Sequence, residues 1–139
     1  MVQKKDQEIR LKNTAVQALL ALSMFWICSS KMSWIPLDNI SQLDSITEMS
    51  DGKTQIIFKH STRCSISHMA KSRLERETMS EEYDWYFLDL IKYRDISNGI
   101  AEKFQVNHES PQILIIKKGE CTFAESHNGI IMSEIVEQA

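Results

Sequence analysis

The alternation of short apolar runs with amphipathic segments is the feature that most constrains the fold of this chain. Apolar runs at residues 54–59, 83–91 and 112–117 have the length of buried strands. Around them, apolar residues recur every three or four positions, as they do on the buried face of a helix. These segments predict helices that begin near Asn39 or Ser41, span residues 64–77, begin at Asp95 or Ser97, and span residues 129–137.

The order of these elements predicts an α/β fold. Strands separated by a helix are expected to be parallel, whereas those at 112–117 and 121–124, joined by Lys118-Gly119, form a hairpin. With an extended entry at 34–37, this is the order of a thioredoxin-like domain, with a central mixed four-stranded sheet flanked by helices. Ligands of such sheets bind at the carboxyl ends of the strands, which is where Cys64 falls.

Cys64 stands where a strand gives way to a helix, so its thiol is expected in the first turn of that helix. Free backbone N–H groups and the helix dipole favour a thiolate there. The residue three positions later is Ser67, and the resulting C-x-x-S pattern predicts one-thiol exchange chemistry. The Ser67 hydroxyl could donate a hydrogen bond to the thiolate, or Ser67 could be an ordinary surface serine. In either case a Cys64 adduct must be resolved by an outside thiol or by a distant cysteine.

Composition places the chain among ordinary globular proteins. Of its 139 residues, 42% are hydrophobic and 25% charged, and a net charge of −3 without a basic block argues against nucleic-acid binding. Cys28, Cys64 and Cys121 form an odd, widely spaced set, which indicates a reducing compartment and predicts a cytoplasmic protein. Cys121 lies in a short strand, where a small buried residue is favoured over a resolving thiol.

Residues 1–31 differ from the rest and are assigned to a separate leader, with the thioredoxin-like domain at 32–139. Charged residues precede an apolar run at 15–28, which is too short to span a bilayer as a helix. Its length suits a signal peptide, although no clean cleavage site follows. A signal or anchor, a mis-assigned start with Met32 as the true first residue, and an extra helix all stay open. Membrane contact is not expected unless the leader is retained.

Two stretches of the domain resemble the YtxJ-type monothiol bacilliredoxins. They read F-K-H-S-T-R-C at 58–64 and S-N-x-I-A-E-x-F-x-V-x-H-E-S-P-Q at 97–112, and Ser126-His127 before the last helix also fits. The resemblance covers Met32 to the C terminus. The family usually has proline where this chain has Ser65, and often tryptophan where it has Asn128.

The resemblance implies a thioredoxin fold and the removal of bacillithiol from mixed disulfides on proteins. It implies that bacillithiol is a co-substrate, with no tightly bound cofactor, and that the partners are S-thiolated client proteins and a low-molecular-weight thiol. The implied catalytic residues are Cys64 and Ser67, and the implied substrate-binding residues are Thr62, Arg63, Ser110 and Pro111. Sequence alone favours a trans Pro111, whereas the resemblance implies a cis-proline that faces the thiol.

His60 and His68 lie four residues on either side of Cys64, and either would favour the thiolate if protonated. Solvated surface histidines are nevertheless the favoured interpretation of both. The H-x-x-x-C-x-x-x-H spacing also suggests a metal site, but it lacks a fourth clustered ligand, so no metal is predicted.

Three functions compete. The leading prediction is a monothiol thiol–disulfide oxidoreductase that takes bacillithiol, or a similar small thiol, off client cysteines. The second is a non-catalytic thioredoxin-fold binding module, membrane-tethered if the leader is retained. The third is a glutaredoxin-like monothiol protein that binds an iron–sulfur cluster, but that type carries C-G-F-S, and residues 64–67 lack its glycine and phenylalanine.

Overall fold

A computed structural model describes residues 33–139. Its strands are β1 (Ile35–Pro36), β2 (Gln55–His60), β3 (Asp84–Asp89), β4 (Gln112–Lys117) and β5 (Glu120–Ser126). Its helices are α1 (Gln42–Met49), α2 (Ser65–Arg76), α3 (Arg94–Lys103) and α4 (Met132–Gln138), with a 3-10 helix at His127–Gly129. The predictions for residues 1–31, and the domain boundary at Met32, lie outside the described residues and stay predictions.

The five strands form one mixed sheet in the order β1-β3-β2-β4-β5. Strand β3 runs parallel to both β1 and β2, whereas β4 is antiparallel to β2 and to β5. The prediction of a mixed sheet with a terminal hairpin is therefore confirmed, but its count of four strands is wrong. The fifth strand is β1, in which Ile35 and Pro36 pair with Tyr86 and Phe87. Proline is tolerated there because β1 is an edge strand with only one partner.

Most element boundaries lie within a few residues of those predicted. Helix α2 begins one residue after Cys64, which is its N-cap, and α3 begins at Arg94. The last helix is the exception, because α4 begins at Met132 and not at Gly129. Residues 127–129 form the 3-10 helix, and Ile130 follows in an extended conformation with its side chain fully buried.

The sheet is covered on both faces, which explains why every residue of β2 is buried. Ile57 faces α1 and α3 and packs with Leu43, Ile96 and Ile100. Ile56 and Phe58 face α2 and α4 and pack with Ala70, Leu74 and Ile135. Strand β2 ends in two buried polar residues, Lys59 and His60. Because side chains alternate along a strand, these two lie on opposite faces of the sheet at the end of β2 that leads to Cys64.

Candidate active site

Cys64 lies at the junction predicted for it, between the end of β2 and the first residue of α2. Its backbone is extended (φ −111°, ψ 121°), its carbonyl accepts the His68 N–H at 3.1 Å, and its own N–H donates to Ser61. The thiol is free and half-exposed. The first turn of α2 carries no acidic residue, so nothing in that turn offsets the positive end of the helix dipole.

Ser67 is fully buried, so its interpretation as a surface serine is wrong. Its Oγ accepts the backbone N–H of Ser61 at 2.9 Å and lies 2.8 Å from Nδ1 of His60. A hydroxyl has one hydrogen, and a Ser67 that donates to His60 Nδ1 does not donate to Cys64. Donation from Ser67 to the thiolate stays a prediction.

His60 is buried, and for this residue the prediction of a solvated histidine is wrong. Its ring lies edge-on to His68 at 4.8 Å between centroids, and 5.3 Å from the ring of Phe87. Burial and then the positive charges of His68 and Lys71 lower the pKa of His60, against an opposing effect of Asp89. A neutral His60 therefore holds Ser67, while His68 is exposed, as predicted, and contacts the Thr62 carbonyl at 3.0 Å.

The Ser110-Pro111 bond is cis, as the resemblance implied. The trans bond favoured by sequence alone is therefore wrong. Lys59 pairs with Gln112 in the sheet, so the end of β2 that leads to Cys64 lies beside the start of β4 at Pro111. The Pro111 carbonyl accepts the His127 N–H at 3.1 Å, which brings the Ser126-His127 motif to the same edge.

The other candidate residues lie around this edge. Thr62 and Arg63 are exposed in the turn before Cys64, and the half-buried Ser110 has a hydroxyl with no partner among the described residues. Nδ1 of His127 is 3.6 Å from a Glu109 carboxylate oxygen. The structure thus gathers the predicted residues at the carboxyl end of β2 and the amino end of β4.

Lys59 is a site residue that the sequence analysis missed. Its side chain is fully buried, with Nζ 2.8 Å from Nδ1 of His108 and donating to Oε1 of Gln112 at 3.2 Å. Gln112 also donates to the Asn107 carbonyl, so these contacts fix the segment that leads to Pro111. Burial lowers the pKa of Lys59 to about 8 from its ordinary value of 10.5.

His108, which contacts the Lys59 ammonium, is itself an exposed residue. Burial, and then the positive charges of Lys59 and Arg94, lower the pKa of His108 against an opposing effect of Glu109. Its Nδ1 is therefore an acceptor for the lysine ammonium, with the Ser97 hydroxyl 3.2 Å away. The sequence did contain a signal for a buried Lys59. Lys59 stands in a strand that is predicted to be buried on both faces, so its side chain is expected to be buried whichever face it is on.

Cys121 is half-buried and packs against the core on the α1 and α3 face. Burial raises the pKa of its thiol, which contacts the Phe123 carbonyl at 3.3 Å. A protonated thiol is a poor nucleophile, and this favours the predicted packing role over a resolving role. Cys28 lies outside the described residues.

No three His, Cys, Asp or Glu side chains of residues 33–139 cluster as a metal ion would require. No helix in the same range has the length and apolar character needed to cross a membrane.

A half-exposed thiol at the start of a helix, with a cis-proline at the adjacent strand end of a mixed sheet, is the arrangement of a redox thiol protein with a thioredoxin-like fold. Over residues 35–135 the chain matches the family described as monothiol bacilliredoxin BrxC. A solved structure described as a candidate oxidoreductase with a thioredoxin fold is 32% identical, with a TM-score of 0.66, and the match covers 75% of this chain and 91% of that chain. The chain therefore belongs to the monothiol bacilliredoxin family.

Thioredoxins match at lower identity. The thioredoxin of Trypanosoma brucei brucei is 14% identical with a TM-score of 0.60, and the match covers 79% of this chain and 90% of that chain. The thioredoxin of Malassezia sympodialis is 17% identical with a TM-score of 0.58, and the coverages are 76% and 86%. These likenesses concern the fold alone, and they confirm the thioredoxin-like architecture.

Proposed function

We propose that this protein is a monothiol thiol–disulfide oxidoreductase that removes bacillithiol from mixed disulfides on client proteins. The observation that carries the proposal is the pair formed by Cys64 and Ser67. Cys64 presents a free, half-exposed thiol, whereas the position where a resolving sulfur would stand holds a buried hydroxyl that is already hydrogen-bonded. Family membership supports the same reaction.

The reaction consists of two exchanges in which one S–S bond replaces another. The Cys64 thiolate attacks the bacillithiol sulfur of the mixed disulfide, and the client leaves as a thiolate that takes up a proton. Cys64 then carries bacillithiol through a disulfide. A free bacillithiol thiolate attacks the bacillithiol sulfur of that adduct and releases Cys64 together with oxidised, disulfide-linked bacillithiol. The net change converts one mixed disulfide and one free bacillithiol into one client thiol and one bacillithiol disulfide, so one reduced thiol is oxidised for each client cysteine that is reduced.

The residues around Cys64 are proposed to bind the substrate. Ser110 and the cis Pro111 precede β4, whose first residue pairs with Lys59 near the end of β2, and their backbone groups are proposed to bind an extended client segment. Thr62 and Arg63 are exposed in the turn before Cys64 and are proposed to contact the small thiol. The proposal places the reaction in the cytoplasm, because regeneration of Cys64 requires a pool of reduced thiol.

The experiment follows intact masses of the full chain and of its Cys64→Ser and Cys121→Ser variants with a bacillithiol-modified client protein. We expect the wild type and Cys121→Ser to gain one bacillithiol while the client loses it, and Cys64→Ser to gain none. Binding of the client without transfer would replace the proposal with a non-catalytic binding module. Transfer that is lost in Cys121→Ser would reject the one-thiol mechanism.

A further inference from the structure

Helix α2 presents a stripe of side chains that starts beside Cys64 and is exposed except for the half-buried Arg73. Its members are two apolar residues, Ile66 and Met69, followed by Arg73 and Arg76. Their spacing of three, four and three residues places them along one flank of the helix. Ile66 and Met69 are 43% and 58% exposed, although the buried face of the same helix contains Ala70 and Leu74. Two large apolar side chains are therefore left in solvent within one to two turns of the thiol.

A groove of about 620 Å³ continues the stripe toward the C terminus of α2. Arg73, Arg76 and Glu77 line one wall, and the other wall is lined by Ile130, Ile131, Met132, Ser133 and Val136. Ile131 and Val136 are each 45% exposed, so the second wall is apolar. The groove combines two guanidinium groups with an apolar surface, and Glu77 is its one carboxylate.

The charges of the two arginines are not neutralised within the described part of the chain. Arg73 donates to the His127 carbonyl at 3.1 Å, and its buried Nε has no partner among the described residues. No carboxylate of residues 33–139 forms an ion pair with Arg73 or Arg76. On the opposite flank of α2, by contrast, Lys71 pairs with Glu75 at 2.8 Å. The unpaired positive charge is thus confined to the flank that faces the groove.

We propose that this stripe and groove form the docking surface for the client protein, and that they select clients with acidic residues near the modified cysteine. The proposal rests on the proposed function. It specifies the partner as an extended segment with an apolar residue over Ile66 and Met69 and carboxylates over Arg73 and Arg76. Charge complementarity carries this assignment, because a basic segment would meet two unpaired arginines.

Helix geometry fixes where the carboxylates should stand. A rise of about 1.5 Å per residue puts Arg73 about 13 Å and Arg76 about 18 Å from Cys64 along the helix. An extended segment covers about 3.3 Å per residue. The acidic residues are therefore expected about four to six positions from the client cysteine that carries bacillithiol.

The first test uses two bacillithiol-modified peptides that differ only at positions four to six from the cysteine, where one has glutamate and the other lysine. With the full chain we expect kcat/KM to be about tenfold higher for the acidic peptide at low salt, from two exposed pairs that each contribute a few-fold. The difference should appear in KM and should shrink at high salt, because exposed charges are screened.

Charge reversal at the groove, Arg73→Glu with Arg76→Glu, should remove or invert this preference. The matched control is Lys117→Glu with Lys118→Glu, which changes net charge equally at the far end of β4 and should keep the preference. Because Arg73 also contacts the His127 carbonyl, Arg76→Gln is a milder second variant and should lose part of the preference. An equal loss in the control pair would assign the effect to net charge and overturn the docking surface.

Binding without chemistry separates this proposal from the proposed function. Fluorescence anisotropy of the same labelled peptides, unmodified, with the Cys64→Ser chain should give tighter binding for the acidic peptide. Equal binding of both peptides overturns the docking surface even if transfer of bacillithiol is seen. Preferential binding without any transfer by the wild type supports the docking surface and rejects the catalytic role.

Discussion

Among individual residues, Ser67 links the Ser61 backbone to the His60 ring through its buried hydroxyl. Within residues 33–139 its hydroxyl is the one acceptor of the Ser61 N–H, and Ser61 is itself buried. We expect Ser67→Ala to lower the free energy of unfolding by about 1–3 kcal/mol, because it leaves a buried donor without a partner. Urea unfolding of the two chains measures this difference.

The control for Ser67→Ala is Ser65→Ala, two residues away and exposed. It should change the free energy of unfolding by no more than about 0.5 kcal/mol, as is usual for surface substitutions. Similar values for the two variants would mean that the buried contacts of Ser67 contribute little to stability.

Lys59 makes stability depend on pH in the alkaline range. Its pKa is about 8 in the folded protein and 10.5 is its ordinary value, so between these values the unfolded chain binds more protons. Stability should therefore rise with pH across this window, at up to about 1.4 kcal/mol per pH unit. The measurement is urea unfolding from pH 7.5 to 10.5 under reducing conditions.

The Lys59→Met variant isolates this effect. Other groups titrate in the same window with the opposite sign, since burial raises the pKa of Cys121 and of Tyr86. The stability of the wild type minus that of Lys59→Met should rise with pH, because both chains share those groups. A difference that stays constant would show that Lys59 does not titrate differently in the folded state.

At the scale of an element, α2 begins in a geometry that suits the proline usual in the family. The Ser65 N–H has no partner among the described residues, and Cys64 has the extended φ and ψ that a residue before proline prefers. We expect Ser65→Pro to raise the free energy of unfolding by about 0.4–1 kcal/mol through a less flexible unfolded chain. Thermal and urea unfolding measure the gain, and a loss of stability would show that the Ser65 N–H is needed.

Helices and strands were predicted well where the apolar pattern extends over many residues, and poorly where the element is short or the pattern is irregular. Strands β2 and β4 and helix α2 lie close to their predicted bounds, because apolar runs and a helical stripe define them. Strand β1 has two residues and is paired with β3 from about 50 positions away, which no local pattern records. The start of α4 was misplaced because Ile130 belongs to the apolar pattern but is buried from an extended segment.

For the molecule as a whole, stability should fall as the solution becomes mildly acidic. Burial is the first cause that lowers the pKa of both His60 and His108 below the ordinary value of 6.5. Since the unfolded chain then binds more protons, the stability present above pH 6.5 is lost as pH falls through the folded pKa values. Urea unfolding between pH 7.5 and 5.5, above the carboxylate range, measures the loss.

His108→Gln removes one of the two histidines and keeps a side chain that can accept from Lys59. Its stability should depend less on pH in this window than that of the wild type. Identical pH dependence of the two chains would assign the whole effect to other groups.

The candidate site was predictable in part because several of its residues lie in short sequence motifs. Cys64, Ser67 and the cis Pro111 follow from residue type and from the family resemblance. The contacts of Lys59 with His108 and Gln112 join residues about 50 positions apart, and burial of His60 depends on Phe87 in another strand. Such contacts are set by tertiary packing, so the pattern along the chain did not identify Lys59 and wrongly predicted a solvated His60.

The buried hydroxyl of Ser67 also determines what information the protein can hold. A dithiol enzyme can keep an internal disulfide after its substrate has left, and so retains a record of the last oxidation. This chain has a buried hydroxyl at that position, so under the proposed function Cys64 holds what a small thiol or a client leaves on it. Under the proposed function, the fraction of Cys64 that is occupied reports the ratio of oxidised to reduced small thiol around it, which makes the protein a readout of that pool as well as an agent acting on it.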